Sequence, residues 1–193
     1  MQWLNEIING ITYYLSSFGM PGGFLLIVLE SIFPILPFGL FVGLNILAFG
    51  NVIGYLLSYI ATVFGTFMVF LFFRYVVKNY FYNWFKGDKK VKIEHLMDKM
   101  THMDFNVLVV ILAIPFLPTS LLNVAGGLSS IDGRKYLLAL LIGKISITFF
   151  WGYIGKGLLE SIKNPKILIV IVIMVLGAYL LSKIAEKVFK IKE

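Results

Sequence analysis

A Pro-x-x-Pro pair occurs twice in this chain, 81 positions apart, as Pro34-Ile35-Leu36-Pro37 and Pro115-Phe116-Leu117-Pro118. Both copies lie in very apolar sequence. Proline has no backbone N–H and its ring clashes with the preceding turn, so it breaks or kinks a helix. In hydrocarbon, broken backbone persists only where protein buries it or where it lines a wet cavity. Paired interruptions in corresponding halves of a membrane protein point to a transporter's binding site. The chain therefore reads as a small, internally duplicated membrane protein that moves something across a bilayer.

The surrounding residues agree with a membrane setting. The 50 residues from Phe24 to Phe73 carry one charge, Glu30. The mean hydropathy of the whole chain is +0.90. A spanning helix needs about 20 apolar residues, so one membrane domain fills the 193 residues and no separate soluble domain fits. Cysteine is absent, which excludes disulfides, thiol catalysis and cysteine-based metal sites. The first twenty residues contain Glu6 and no Lys or Arg, unlike the basic start of a signal peptide. Trp3, Leu4, Ile7, Ile8, Ile11, Tyr14 and Leu15 recur every three to four residues. That spacing predicts an amphipathic helix lying in the interface, with a short first span as the alternative.

The offset of 81 extends beyond the prolines. Tyr55-Leu56-Leu57 maps onto Tyr136-Leu137-Leu138, Phe24 onto Phe105 and Leu40 onto Leu121. Each half has a ten-residue apolar segment (Phe24–Phe33, Phe105–Ile114), the proline break, and a second short segment (Leu40–Phe49, Leu121–Leu128). Ten helical residues reach about 15 Å, half the hydrocarbon core. Gly50 and Gly126-Gly127 suit helix ends. Full spans follow at Val52–Phe73 and Tyr136–Ile154, and a last one at Ile167–Leu181. The expected fold is an all-α integral membrane protein: an inverted repeat of re-entrant helical hairpin plus transmembrane helix, with an additional C-terminal transmembrane helix. Its parts are 1–19 (amphipathic or short N-terminal helix), 22–77 (first repeat), 78–104 (basic loop), 105–157 (second repeat) and 165–186 (last span). The competing arrangement makes Phe24–Phe49 and Phe105–Leu128 two proline-kinked spans.

Charge distribution favours the hairpins. Seven Lys/Arg fall from Arg74 to Asp104, which places that loop in the cytoplasm. A hairpin returns to its own side, so Arg134 and Lys135 join it there, as does the tail with Lys183, Lys187, Lys190 and Lys192. The two hairpins then enter from opposite sides. Orientation signals account for the net charge of +7, and no nucleic acid partner is expected. Within the loop, Ile93, Leu96, Met97, Met100 and Met103 form one apolar helical face, predicting an interfacial helix. His95 and His102 lie on its polar side, read as solvated residues in preference to a pH sensor or metal ligand because nothing else of ligand type converges there, and no metal site is expected.

The residues that could carry chemistry are few. Glu30 lies at membrane depth four residues before the first proline, and intramembrane ionisable groups are functional hypotheses by default. It could couple transport to protons, bind a cationic group, cap freed amides or pair with Lys144. Lys144, inside the second full span, must snorkel, pair or bind an anion. Arg74 ends the first span as an interface anchor. Asn45 and Asn123 each follow a Pro-x-x-Pro break, where an amide serves a headgroup or satisfies broken backbone. The candidate transport residues are thus Glu30, Pro34, Pro37, Asn45, Pro115, Pro118, Asn123, Gly126, Gly127 and Lys144. No Ser–His–Asp set, P-loop or His-x-x-x-His occurs, so neither enzyme activity nor a cofactor is expected.

Phe24-Leu25-Leu26-Ile27-Val28-Leu29-Glu30-Ser31 with Pro34-x-x-Pro37 resembles the first block of the DedA family, also called the VTT-domain or SNARE-associated Golgi protein family. Ile114-Pro115-Phe116-Leu117-Pro118, Asn123-x-Ala125-Gly126-Gly127-Leu128, Tyr136-Leu137 and Gly143-Lys144 resemble its second block. The resemblance covers about residues 20–157. It implies facing re-entrant hairpins and a role in moving lipids, whether phospholipid or undecaprenyl phosphate, in a bacterial cell membrane, together with proton-motive-force homeostasis; coupling to protons stays open. Glu30 matches the family's acidic residue of the first hairpin. Phe38-Gly39 stand where many bacterial members have an acid, and Ala113 and Pro118 where they have arginines; Lys144 is the residue expected to supply the missing positive charge. The leading expectation is a lipid flippase or scramblase. A proton- or ion-coupled small-solute transporter and a non-transporting membrane scaffold are the alternatives.

Overall fold

The computed structural model describes residues 2–34, 37–80, 87–117, 119–161 and 164–188. Helix α1 (Gln2–Ile32) is two helical pieces joined at Gly19, whose φ of 64° only glycine adopts readily, with Pro21 just beyond. Side chains 2–9 and 11–17, which carry the amphipathic stripe expected there, lie outside the described set. The first proline motif ends α1. Helix α2 (Phe38–Phe49) then starts from Pro37. Gly50, at φ 83°, joins it to α3 (Asn51–Phe72), as expected of a helix-ending glycine. A π-helical turn (Phe73–Val77) and a 3-10 turn (Lys78–Tyr80) prolong α3. Helix α4 (Gly87–His102) occupies the basic loop.

The second half repeats the order with α5 (Phe105–Ala113), the second proline motif, α6 (Thr119–Leu128) and α7 (Gly133–Glu160). The Asp132 carboxylate accepts a bond from the Arg134 N–H and caps α7. Helix α8 (Ile167–Val188) closes the described chain. Among the described residues, three stretches are long and apolar enough to cross a membrane: Asn51–Val77, Gly133–Glu160 and Ile167–Ala185. At 12 residues, α2 is about 18 Å long and too short to cross. The protein is all-helical across the described residues, as expected.

Gly126 and Gly127 lie in the last turn of α6, which ends at Leu128. Their missing side chains also serve packing. A Cβ on Gly127 would meet the Phe70 carbonyl oxygen of α3 at 2.5 Å, and one on Gly126 would press on Met100 and Tyr136 at 3.1 Å. Phe24–Phe49 does not run as one continuous helix. The Asn45 amide donates to the Gly23 carbonyl at 3.2 Å, whereas 22 residues of continuous helix would separate them by about 33 Å. The end of α1 and α2 therefore lie side by side.

Helices α3 and α7 are antiparallel. The Tyr55 hydroxyl donates to the Ile145 carbonyl at 2.9 Å and the Tyr59 hydroxyl to the Leu141 carbonyl at 2.6 Å. Further along, the Phe70 and Tyr136 rings stack at 4.2 Å. In each half the helix before the break packs on that half's own long helix, α1 on α3 and α5 on α7. The helix after the break packs on the long helix of the other half, α2 on α7 and α6 on α3. A core around Phe70, Leu108, Leu112, Tyr136 and Leu140 joins these elements, and a smaller one of Ile27, Val42, Ile46 and Ala61 lies under the first break.

The apolar face of α4 packs on protein. Ile93 joins Val77 and Leu128, and Met100 is buried in the larger core with Leu96, Met97 and Met103 against it. By contrast α8 touches mainly α7 and exposes Ile169, Ile173, Leu180 and Leu181.

Candidate functional site

The two proline breaks border one cavity of about 560 Å³. Glu30 reaches it from the last turn of α1, and Pro34 and Pro37 form its edge on that side. Phe116, Leu117 and Thr119 border it from the second break. Lys144 enters from the middle of α7 and is only 6% exposed. Among the described residues lining the cavity, Glu30 is the one acid and Lys144 the one base. They share this space without being in ion-pair contact. Neither makes a hydrogen bond to a described residue.

Hydroxyl groups complete the polar lining. Thr62 and Thr66 project from α3, four residues apart on one face, and Thr119 and Ser120 from the start of α6. Ser31 also lines the cavity while its hydroxyl donates to the Ile27 carbonyl at 3.0 Å. These five are absent from the candidates read from sequence. The four-residue spacing of Thr62 and Thr66 was the available signal. A lone hydroxyl in an apolar helix ordinarily returns its bond to the preceding turn, so only the fold reveals which ones face a common space.

The asparagines separate. Asn123 lines the cavity, and its Oδ1 accepts from the buried Tyr136 hydroxyl at 2.7 Å. Asn45 does not line it. Its amide donates to the Gly23 carbonyl and to the Ser58 hydroxyl at 3.0 Å, tying α1, α2 and α3 together. That is the structural alternative foreseen for it. Pro115 is likewise off the cavity; its carbonyl accepts from the Ser182 hydroxyl of α8. Gly126 and Gly127 lie behind, in the packing described above. Pro118 is outside the described residues. Glu30, Pro34, Pro37, Asn123 and Lys144 are thus the candidates that the fold brings together.

Two details fix the walls. Phe116 has φ 66°, a left-handed conformation that costs a side-chain-bearing residue about 1–2 kcal/mol. Its ring meets Trp151 at 5.2 Å, Phe150 at 6.1 Å and Tyr179 of α8 at 6.4 Å. Opposite, Gly39 and Gly43 of α2 lie directly on Gly155 of α7, the close backbone approach that small residues permit between membrane helices. Arg74 is more than an interface anchor: its guanidinium donates to the Ser129 and Ile131 carbonyls and lies 4.6 Å over the Phe70 ring. Among the described residues there is no group of three or more His, Asp or Glu placed to hold a metal ion.

The pattern of the VTT domain matches residues 33–157, from the first proline break to just short of the end of α7. The chain belongs to the VTT-domain (DedA) family. The match covers both breaks and Lys144, while Glu30 and α8 fall outside it. Two relatives from Bacillus subtilis (strain 168) align with this VTT-domain chain. The uncharacterized membrane protein YhjE is 28% identical over 176 residues, covering 91% of this chain and 84% of YhjE. The uncharacterized protein YqeD is 29% identical over 147 residues, covering 74% of this chain and 65% of YqeD. No solved structure matches. This VTT-domain chain is accordingly a membrane protein with three candidate spanning helices.

Proposed function

We propose that this protein is a lipid flippase or scramblase, in which the two helical breaks form re-entrant hairpins related by an inverted repeat. One observation carries the reading: a single cavity, with one acid, one base and several hydroxyls, lies between both breaks inside otherwise apolar helices. Cavities of roughly 300–1,000 Å³ suit small polar groups and headgroups. A headgroup crosses in the polar space while its acyl chains stay in lipid, which lowers the cost of moving charge through hydrocarbon. The antiparallel α3 and α7, and the crossed packing of α2 and α6 onto them, support the inverted arrangement. In this reading the protein resides in a bacterial cell membrane with residues 78–104 and the C-terminus in the cytoplasm.

The test is lipid movement in proteoliposomes of purified protein, with labelled phospholipids and a polyprenyl phosphate, with and without a pH gradient. Movement without a gradient identifies scrambling, and movement only with one identifies a coupled flippase. Absence of movement of every lipid, from folded protein, overturns the proposal. A coupled small-solute transporter is the second reading, favoured by the unpaired Glu30 and Lys144, and it predicts solute uptake that collapses with the gradient.

A further inference from the structure

Lys144 presents an unusual balance of costs. The residue is 6% exposed, near the middle of a helix long enough to span a membrane, and it lines the cavity. Among the described residues it has neither a hydrogen-bond acceptor nor a contacting carboxylate. An ammonium that opens only on a cavity at membrane depth, with no counter-charge in contact, is expensive. Glu30, the sole acid among the described lining residues, faces the same space without touching it. Direct pairing would lower the cost of both groups, so their separation leaves two complementary charges facing an open cavity.

We infer that the cavity is built for a zwitterionic headgroup, a phosphate taken by Lys144 and an ammonium taken by Glu30 of the same molecule. The inference rests on the lipid-transport reading and narrows it. Such a ligand supplies both missing partners at once and leaves the cavity neutral. A purely anionic headgroup satisfies Lys144 but leaves Glu30 unpaired and adds repulsion between like charges. The hydroxyls of Thr62, Thr66, Thr119 and Ser120 supply further bonds to phosphate oxygens. The same chemistry exists in a soluble molecule, phosphoethanolamine, so the source of the headgroup must be tested too.

The experiment uses the intact protein in proteoliposomes carrying tail-labelled phosphatidylethanolamine, phosphatidylglycerol or a polyprenyl phosphate, with uptake of free phosphoethanolamine measured in parallel. Phosphatidylethanolamine moves about tenfold faster than either anionic lipid, the ratio set by one unpaired charge at modest screening. Glu30→Gln narrows that ratio to about threefold or less by the same reasoning. Lys144→Met slows all three lipids. The exchanged pair Glu30→Lys with Lys144→Glu retains both charges and recovers part of the preference. Equal or faster movement of phosphatidylglycerol or polyprenyl phosphate overturns the inference while lipid transport stands. Accumulation of free phosphoethanolamine with no lipid moved overturns both. The ratio in the unsubstituted protein decides the matter even where a variant fails to fold.

Discussion

Gly155 of α7 lies so close to Gly39 of α2 that a methyl group on Gly155 would overlap the Gly39 carbonyl oxygen. Gly43 approaches the same point, where an added Cβ would lie 2.6 Å from the Gly155 carbonyl carbon. The helix after the first break is thereby seated on the long helix of the other half. Because both surfaces are backbone, neither can move aside as a flexible side chain would.

Gly155→Ala is expected to destabilise the protein by about 3 kcal/mol, the upper end of the usual overpacking cost, since a rigid contact has no side chain to rearrange. Gly177→Ala is the control, because a Cβ there meets nothing within 4 Å. Thermal unfolding in detergent, followed by loss of the monodisperse species, measures the difference. Equal stability of the two variants would show that α2 does not rest on α7.

Asn45 and Asn123 have different work to do, and substitution separates them. Asn45→Ala removes bonds to Gly23 and Ser58 and is expected to cost about 2 kcal/mol. Lipid movement per folded molecule should be retained, because Asn45 lies off the cavity. Asn123→Ala is expected to slow movement per folded molecule, because Asn123 lines it. Assays normalised to folded protein read both effects.

The left-handed backbone at Phe116 predicts an order of stability. Glycine adopts φ 66° freely, whereas alanine does not. Both substitutions lose the ring contacts with Trp151 and Tyr179 equally. Phe116→Gly should therefore be more stable than Phe116→Ala by about 1 kcal/mol. Melting temperatures of the two variants check this, and the reverse order would mean that the break does not hold this conformation.

Tyr55 and Tyr59 tie α3 to α7 through hydroxyls donated to carbonyls four residues apart. Each Tyr→Phe change is expected to cost about 0.6 kcal/mol, the usual scale of a hydrogen bond between membrane helices. The tyrosine pair flanks the turn that carries Lys144, so the double variant should also slow lipid movement. Unfolding measurements on the single and double variants test the size, and transport assays test the positioning.

Much of the architecture was legible in the chain because it follows from local chemistry. The double prolines stop helices wherever they fall, and the observed breaks interrupt α1 from α2 and α5 from α6 at those positions. The long apolar runs predicted helices near Val52–Phe73, Tyr136–Ile154 and Ile167–Leu181, and α3, α7 and α8 occupy them. Gly50 marks a joint because its backbone conformation is a local property. Glu30 and Lys144 stood out because charge in hydrocarbon is costly wherever it occurs.

The tertiary structure decided which of these marks belong together. Sequence spacing could not show that α2 lies on α7 rather than on α3 alone, nor that Gly127 packs on the α3 backbone and Gly126 on Met100 and Tyr136. Asn45 and Asn123 look alike in sequence, yet one ties three helices and the other faces the cavity. Thr62, Thr66, Thr119 and Ser120 are ordinary hydroxyls until distant segments bring them to one space. The apolar stripe of α4 is equally suited to lipid and protein, and the burial of Ile93 and Met100 settles it for protein. Composition and periodicity determine what each segment can be in a membrane. Which face meets which neighbour depends on close packing between segments far apart in the chain, and that complementarity is written in no single stretch of sequence.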